Sequence, residues 1–185
     1  MTSGAGRGTS ARGPSGMSTL IADELSTSLY NPLDLIEDVA SGNDWPYERH
    51  GDDELTAAVA GAYCEYQLRF FWREDSDVLQ VACVFDLRIP DAKRAAVYEV
   101  LSLINERMWM GHFEVWTDEG VLMYRHAAMV DGGGTGLGTS HLDTLVDTAL
   151  SECERFYPVF QFVLWAGKSP QQAIEAAMLE TVGEA

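Results

Sequence analysis

The chain has 185 residues and carries 29 Asp and Glu against 12 Lys and Arg, a net charge of −17. That length favours one domain, and a 46% apolar content supplies an ordinary core without disulfides or metals. So acidic a chain is a poor partner for nucleic acid and is repelled by an anionic membrane, but it suits a basic or apolar protein partner.

Residues 1–16 are almost entirely Gly, Ser, Thr, Ala, Arg and Pro, with Arg7 and Arg12 and no acid. They cannot bury enough surface to order themselves, so a flexible tail over 1–28 is expected, with Met17 an alternative start. The arginines have no apolar stretch behind them, as a secretory signal would. No run of 18 apolar residues exists, so no membrane span is expected. Cys64, Cys83 and Cys153 are odd in number and widely spaced, which argues for buried thiols in a reducing cytoplasm rather than a disulfide framework or a zinc site.

A single domain is expected over 29–185. Asn31-Pro32 opens a helix, Leu35, Ile36 and Val39 give its apolar face, and Ser41-Gly42-Asn43 ends it. Residues 54–60 read as a short strand. From Cys64 to Trp72 the residues alternate, with Tyr66, Leu68 and Phe70 on one face and Glu65, Gln67 and Arg69 on the other. After the polar turn 74–77 the chain returns over 78–87 with Leu79, Val81, Cys83, Phe85 and Leu87 inward, completing a hairpin. Residues 91–108 form an amphipathic helix with Val97, Val100, Leu101, Ile104 and Met108 on one stripe. A second hairpin has arms 110–117 and 121–129. A glycine-rich connector over 131–138 precedes a long helix that Ser140 and Asp143 cap and that Pro158 kinks or breaks. Ser169-Pro170 starts a last helix that runs to about Glu180. The class is α+β, an antiparallel sheet of about five strands with flanking helices in the order α-βββ-α-ββ-α-α.

Chemistry is sparse along this order. The glycine connector has no GxGxxG spacing and no basic residue, and Gly167-Lys168-Ser169 lacks the earlier glycine of a phosphate loop, since Phe162 stands there. No serine or cysteine nucleophile has a recognisable setting, so no catalytic or cofactor-binding residue is expected. On the second hairpin the register decides what meets. A turn of Asp118 to Gly120 sets His112 opposite His126 and places Glu114 on the same face, a candidate His-His-Glu metal site. A turn of Glu119-Gly120 alone sets Glu114 opposite Arg125 as an ion pair. The segment 159–165 is apolar in six of its seven positions and must be buried on most sides. Phe160, Phe162 and Trp165 there, with Val97, Leu101 and Ile104 of the 91–108 helix, are the candidate interface residues.

Met108-Trp109-Met110-Gly111-His112-Phe113-Glu114-Val115-Trp116, Tyr124-Arg125-His126-Ala127 and Glu152-Cys153-Glu154-Arg155-Phe156-Tyr157-Pro158 resemble the YbjN-like family of bacterial proteins, described as sensory-transduction regulators. Asn31-Pro32-Leu33-Asp34 and Ala82-Cys83-Val84-Phe85-Asp86-Leu87 fit the same resemblance, which covers roughly 29–185. It implies a fold similar to type III secretion chaperones, usually dimeric, with an extra C-terminal helix here. It carries no catalytic residue and casts Gly111, Phe113 and Trp116 as structural. The expected function is a non-enzymatic, cytoplasmic, homodimeric module that binds a protein partner. The alternative is a metal-dependent enzyme or metal-binding protein using His112, Glu114 and His126. A third reading is a dedicated export chaperone.

Overall fold

Asn31 turns the chain into the first described helix: its side-chain oxygen accepts the Leu33 N–H at 2.9 Å, and Pro32 occupies the first helical position. The computed structural model describes residues 31–130 and 138–183; the tail expected over 1–28 and the connector up to Leu137 lie outside the described residues. Helix α1 spans Pro32–Gly42. Strands β1 Tyr47–His50, β2 Glu54–Ala60, β3 Glu65–Arg73 and β4 Val78–Arg88 follow. Helix α2, Arg94–Asn105, leads into β5 His112–Trp116 and β6 Val121–Met129. Helices α3, Thr139–Leu164, and α4, Pro170–Gly183, close the chain.

All pairings are antiparallel, in the order β1-β2-β3-β4-β6-β5. The sheet therefore has six strands where five are expected. The additional strand, β1, reads Tyr-Glu-Arg-His and is largely exposed, so hydrophobic alternation cannot reveal it. Pairing with β2 makes it, and Arg49 ties it to α1 through Asp34 at 2.6 Å and Glu37 at 3.5 Å.

The helices cover one face of the sheet. Leu68, Phe70, Leu79, Val81, Cys83, Phe85, Phe113, Leu122 and Tyr124 point into it and join Leu33 and Ile36 of α1, Val97, Val100 and Ile104 of α2, and Leu142, Ala149, Phe156 and Phe160 of α3 in one core. Phe85 stands amid Tyr66, Phe113, Tyr157 and Phe160 at 5.7–5.9 Å between ring centroids. Such aromatic pairs add about 0.5–1.5 kcal/mol each beyond their buried area.

Three helix expectations change. Helix α3 begins at Thr139 with Gly138 as its N-cap, so Ser140 lies inside the helix rather than capping it. It also runs on through Pro158. Proline there removes the N–H that would bond the Glu154 carbonyl, a cost of roughly 3 kcal/mol. Phe156, Tyr157, Val159 and Phe160 around it are all buried, each worth about 1.5–3 kcal/mol, so packing outweighs the loss. The α2 stripe is as expected, but a short 3₁₀ turn over Asp91–Lys93 precedes the α-helix and Met108 lies beyond its end. Ser169 does cap α4. Its Oγ accepts the Gln172 N–H, and Gln172 Oε1 accepts the Ser169 N–H, a reciprocal capping box. Gly167 before it is left-handed at φ +65°, just past the end of α3.

Candidate functional site

The strand pleat sends alternate residues to the face opposite the described helices. Residues paired across antiparallel strands share a face, so the register maps it. Arg69 of β3, Ala82 of β4, Arg125 of β6 and His112 of β5 form one row. Phe71, Gln80 and Ala127 form the next on one side, and Gln67, Val84, Met123 and Glu114 the next on the other. Arg73, Val78 and Met129 lie at one end. The small residues on β4 leave a trough of about 690 Å³ along the strand, walled by Phe71 and Trp116 and rimmed by Arg69, Arg73 and Arg125.

Each arginine of the central row is anchored. Arg69 donates through Nε and Nη2 to Glu54 Oε1, at 3.2 and 2.6 Å. Its guanidinium stands 5.2 Å from the Phe71 ring and 5.9 Å from the Trp116 ring, within cation–π range of both. Arg125 pairs through Nη2 with Glu114, while its Nε is buried without a hydrogen-bond partner. His112 Nε2 lies 3.5 Å from the other oxygen of Glu114. Beneath these side chains Ala82 and Met123 are buried although they lie on the face away from the described helices. Trp116 is 45% exposed and Met129 82% exposed.

The hairpin register is neither of the two weighed from sequence. The turn takes Thr117 to Gly120, so His112 faces Arg125 and Glu114 faces Met123. Gly120 makes this possible: it is left-handed at φ +65°, and its carbonyl accepts the Ile89 N–H at 2.8 Å. The Glu114–Arg125 ion pair forms nonetheless, on the diagonal. His126 instead pairs with Val81 and points to the helix-covered face, away from His112 and Glu114. Burial, and then the nearby His112, lower its pKa, so it is held neutral. The three candidate metal ligands thus do not converge, and among the described residues no three His, Cys, Asp or Glu do.

The candidate interface residues divide as well. Val97, Leu101, Ile104 and Phe160 are buried in the chain's own core, and Phe162 is partly buried against it. Trp165 is 67% exposed. Cys83 and Cys153 are buried and Cys64 half-buried, all three free. Burial pushes the Cys64 and Cys153 thiols up, keeping them neutral rather than nucleophilic.

Sequence alternation assigned Arg69 to the outer face but did not single out the trough. The available signal was apolar residues where a solvated face should be polar: Phe71, Ala82, Val84, Trp116 and Met123. Asn105 was also missed. Its side chain donates to the Phe113 carbonyl at 2.9 Å and accepts the Phe113 N–H at 2.8 Å, so it closes part of the free edge of β5.

A family model, YbjN, described as "Putative bacterial sensory transduction regulator", matches residues 32–162. No curated protein matches the chain. The solved structure "Crystal structure of YbjN, a putative transcription regulator from E. coli" aligns at a TM-score of 0.49 with 9% identity, covering 66% of this chain and 85% of that one.

Proposed function

The chain belongs to the YbjN family, and on that premise we propose that it is a non-enzymatic regulatory module that works by protein contact through the open face of its sheet. The observation that carries this reading is the trough along β4, with exposed Trp116 and Met129 beside it and anchored arginines at its rim. Aromatic residues, Met and Arg are the residue types enriched where protein surfaces meet. Neutral, buried thiols and histidines on opposite faces of the second hairpin fit contact better than catalysis. Among the described residues no helix is long and apolar enough to cross a membrane. The free cysteines agree with action in the cytoplasm.

The test is a functional rescue. Cells lacking the gene are compared with wild type for altered transcripts, then supplied with the wild-type chain or with Trp116→Glu/Met129→Glu, checked for an unchanged circular dichroism spectrum. The wild-type chain restores the transcript profile and the folded double variant does not. Full restoration by the double variant would remove the open face from the function.

A further inference from the structure

The partner that best fits the open face is a second copy of this chain. We propose that two copies pack sheet against sheet over the β4 troughs; the inference rests on the protein-contact reading above and names the occupant. Three observations carry it.

The first is charge. The trough lining holds Arg69, Arg73 and Arg125 against Asp53, Glu74 and Asp75, a balanced set on a chain of net charge −17. A free anion gains little there, because Arg69 and Arg125 already hold Glu54 and Glu114. A strongly basic partner would find more acid elsewhere on the chain. A balanced set is instead what a two-fold interface needs, since the same patch meets itself and neither sign of charge is in excess. It is also where two acidic bodies approach with least repulsion.

The second is relief. Trp116 and Met129 stand out beside a trough floored by Ala82 and Val84. One surface therefore carries both the protrusions and the recess that a self-complementary contact requires.

The third is area. Five strands about 4.8 Å apart, each showing about seven residues at about 3.3 Å, span roughly 24 by 23 Å. The accessible surface of such a pleated patch is of the order of the ~800 Å² per partner found in stable complexes. Stacked sheets normally lie about 10 Å apart, which the side chains on this face can fill.

The helices expected to form a dimer interface cannot supply one through Val97, Leu101, Ile104 or Phe160, because those side chains are already enclosed. Trp165, and Tyr98 on α2, remain exposed on the helical side.

The full chain is measured by light scattering after size exclusion and by sedimentation, from about 1 to about 100 μM, a range that brackets a micromolar Kd. The expected mass is twice the 20.4 kDa of one chain. Met129→Glu, at an exposed position that needs no repacking, and Trp116→Glu each weaken association at least about tenfold, as loss of an interface anchor does. Trp165→Glu leaves the mass unchanged. A chain of single mass across the whole range overturns the proposal, and so does a dimer indifferent to Met129→Glu and Trp116→Glu but dissociated by Trp165→Glu. A monomer whose open-face variants still fail the transcript rescue would remove the second copy alone and leave the protein-contact reading in place.

Discussion

Gly111 shows how narrow the choice of residue is where α2 hands over to β5. Its φ is +65°, and a Cβ there would lie 2.3 Å from the Tyr124 hydroxyl and 2.8 Å from the Arg125 carbonyl. That hydroxyl is already committed, donating to the Met110 carbonyl at 3.0 Å, and burial pushes its pKa up to about 12. Gly111→Ala should therefore cost roughly 3 kcal/mol or more, from backbone strain and displacement of Tyr124 together. Asn105→Ala removes two hydrogen bonds to one backbone unit and should cost about 1–3 kcal/mol in urea unfolding. A loss below a few tenths would show that water replaces Asn105 at the β5 edge. His126 gives a pH signature. Its folded pKa lies below the ordinary value of about 6.5, so between the two values the unfolded chain binds more protons. The stability it supports is full above about pH 6.5 and is lost as pH falls through the folded pKa. The melting temperature should decline over that acid range, and His126→Gln should flatten part of the decline. The family resemblance already cast Gly111 as structural. The role of Asn105 was not, because its partner is backbone eight residues on and leaves no side-chain pattern.

At the scale of elements, hydrophobic period located everything that buries a face. Strand β2 has the expected bounds, β3 and β4 alternate as expected, and α2 buries the expected stripe. What period could not supply was register and polar edges. Strand β1 has no apolar alternation, and the second hairpin needed the Gly120–Ile89 bond to fix a four-residue turn. One slip of register is enough to send His126 to the other face, which is why the metal constellation looked plausible in sequence and does not assemble. Of the kink or break expected at Pro158, the break does not occur: local propensity favours it, and burial on both sides overrides it. Helix α4 lies beyond the family match, which ends at residue 162, yet its Ala173, Ile174 and Ala177 are buried in the same core, and Gln171 hydrogen-bonds Glu99 of α2. Ile174→Ala should cost about 2–4 kcal/mol, as a buried methyl-rich side chain does, measured by denaturant unfolding. A negligible change would mean that α4 docks loosely and that the helical layer is complete without it.

For the molecule as a whole, the charge and the open face act against each other. Two bodies of −17 repel, and screening shortens that repulsion from about 14 Å at 0.05 M salt to about 4 Å at 0.5 M. The balanced trough contributes little net attraction to lose. Association should therefore tighten as sodium chloride rises over that range, the reverse of a contact held by opposite charges. The acidic balance was plain in the composition, and it turned the reading toward protein partners. The open face was not plain in the sequence, because the apolar segment 159–165 looked like the richest surface. In the fold that segment is spent mostly on the core, while scattered residues of five strands, β2 to β6, make the exposed face. The most direct measurement is photo-crosslinking from a benzoylphenylalanine placed at position 116, with position 165 as the comparison, in living cells. The account predicts a protein adduct from position 116, of twice the chain mass, and none from position 165. Adducts from position 165 with none from position 116 would contradict it, moving the contact to the helical side.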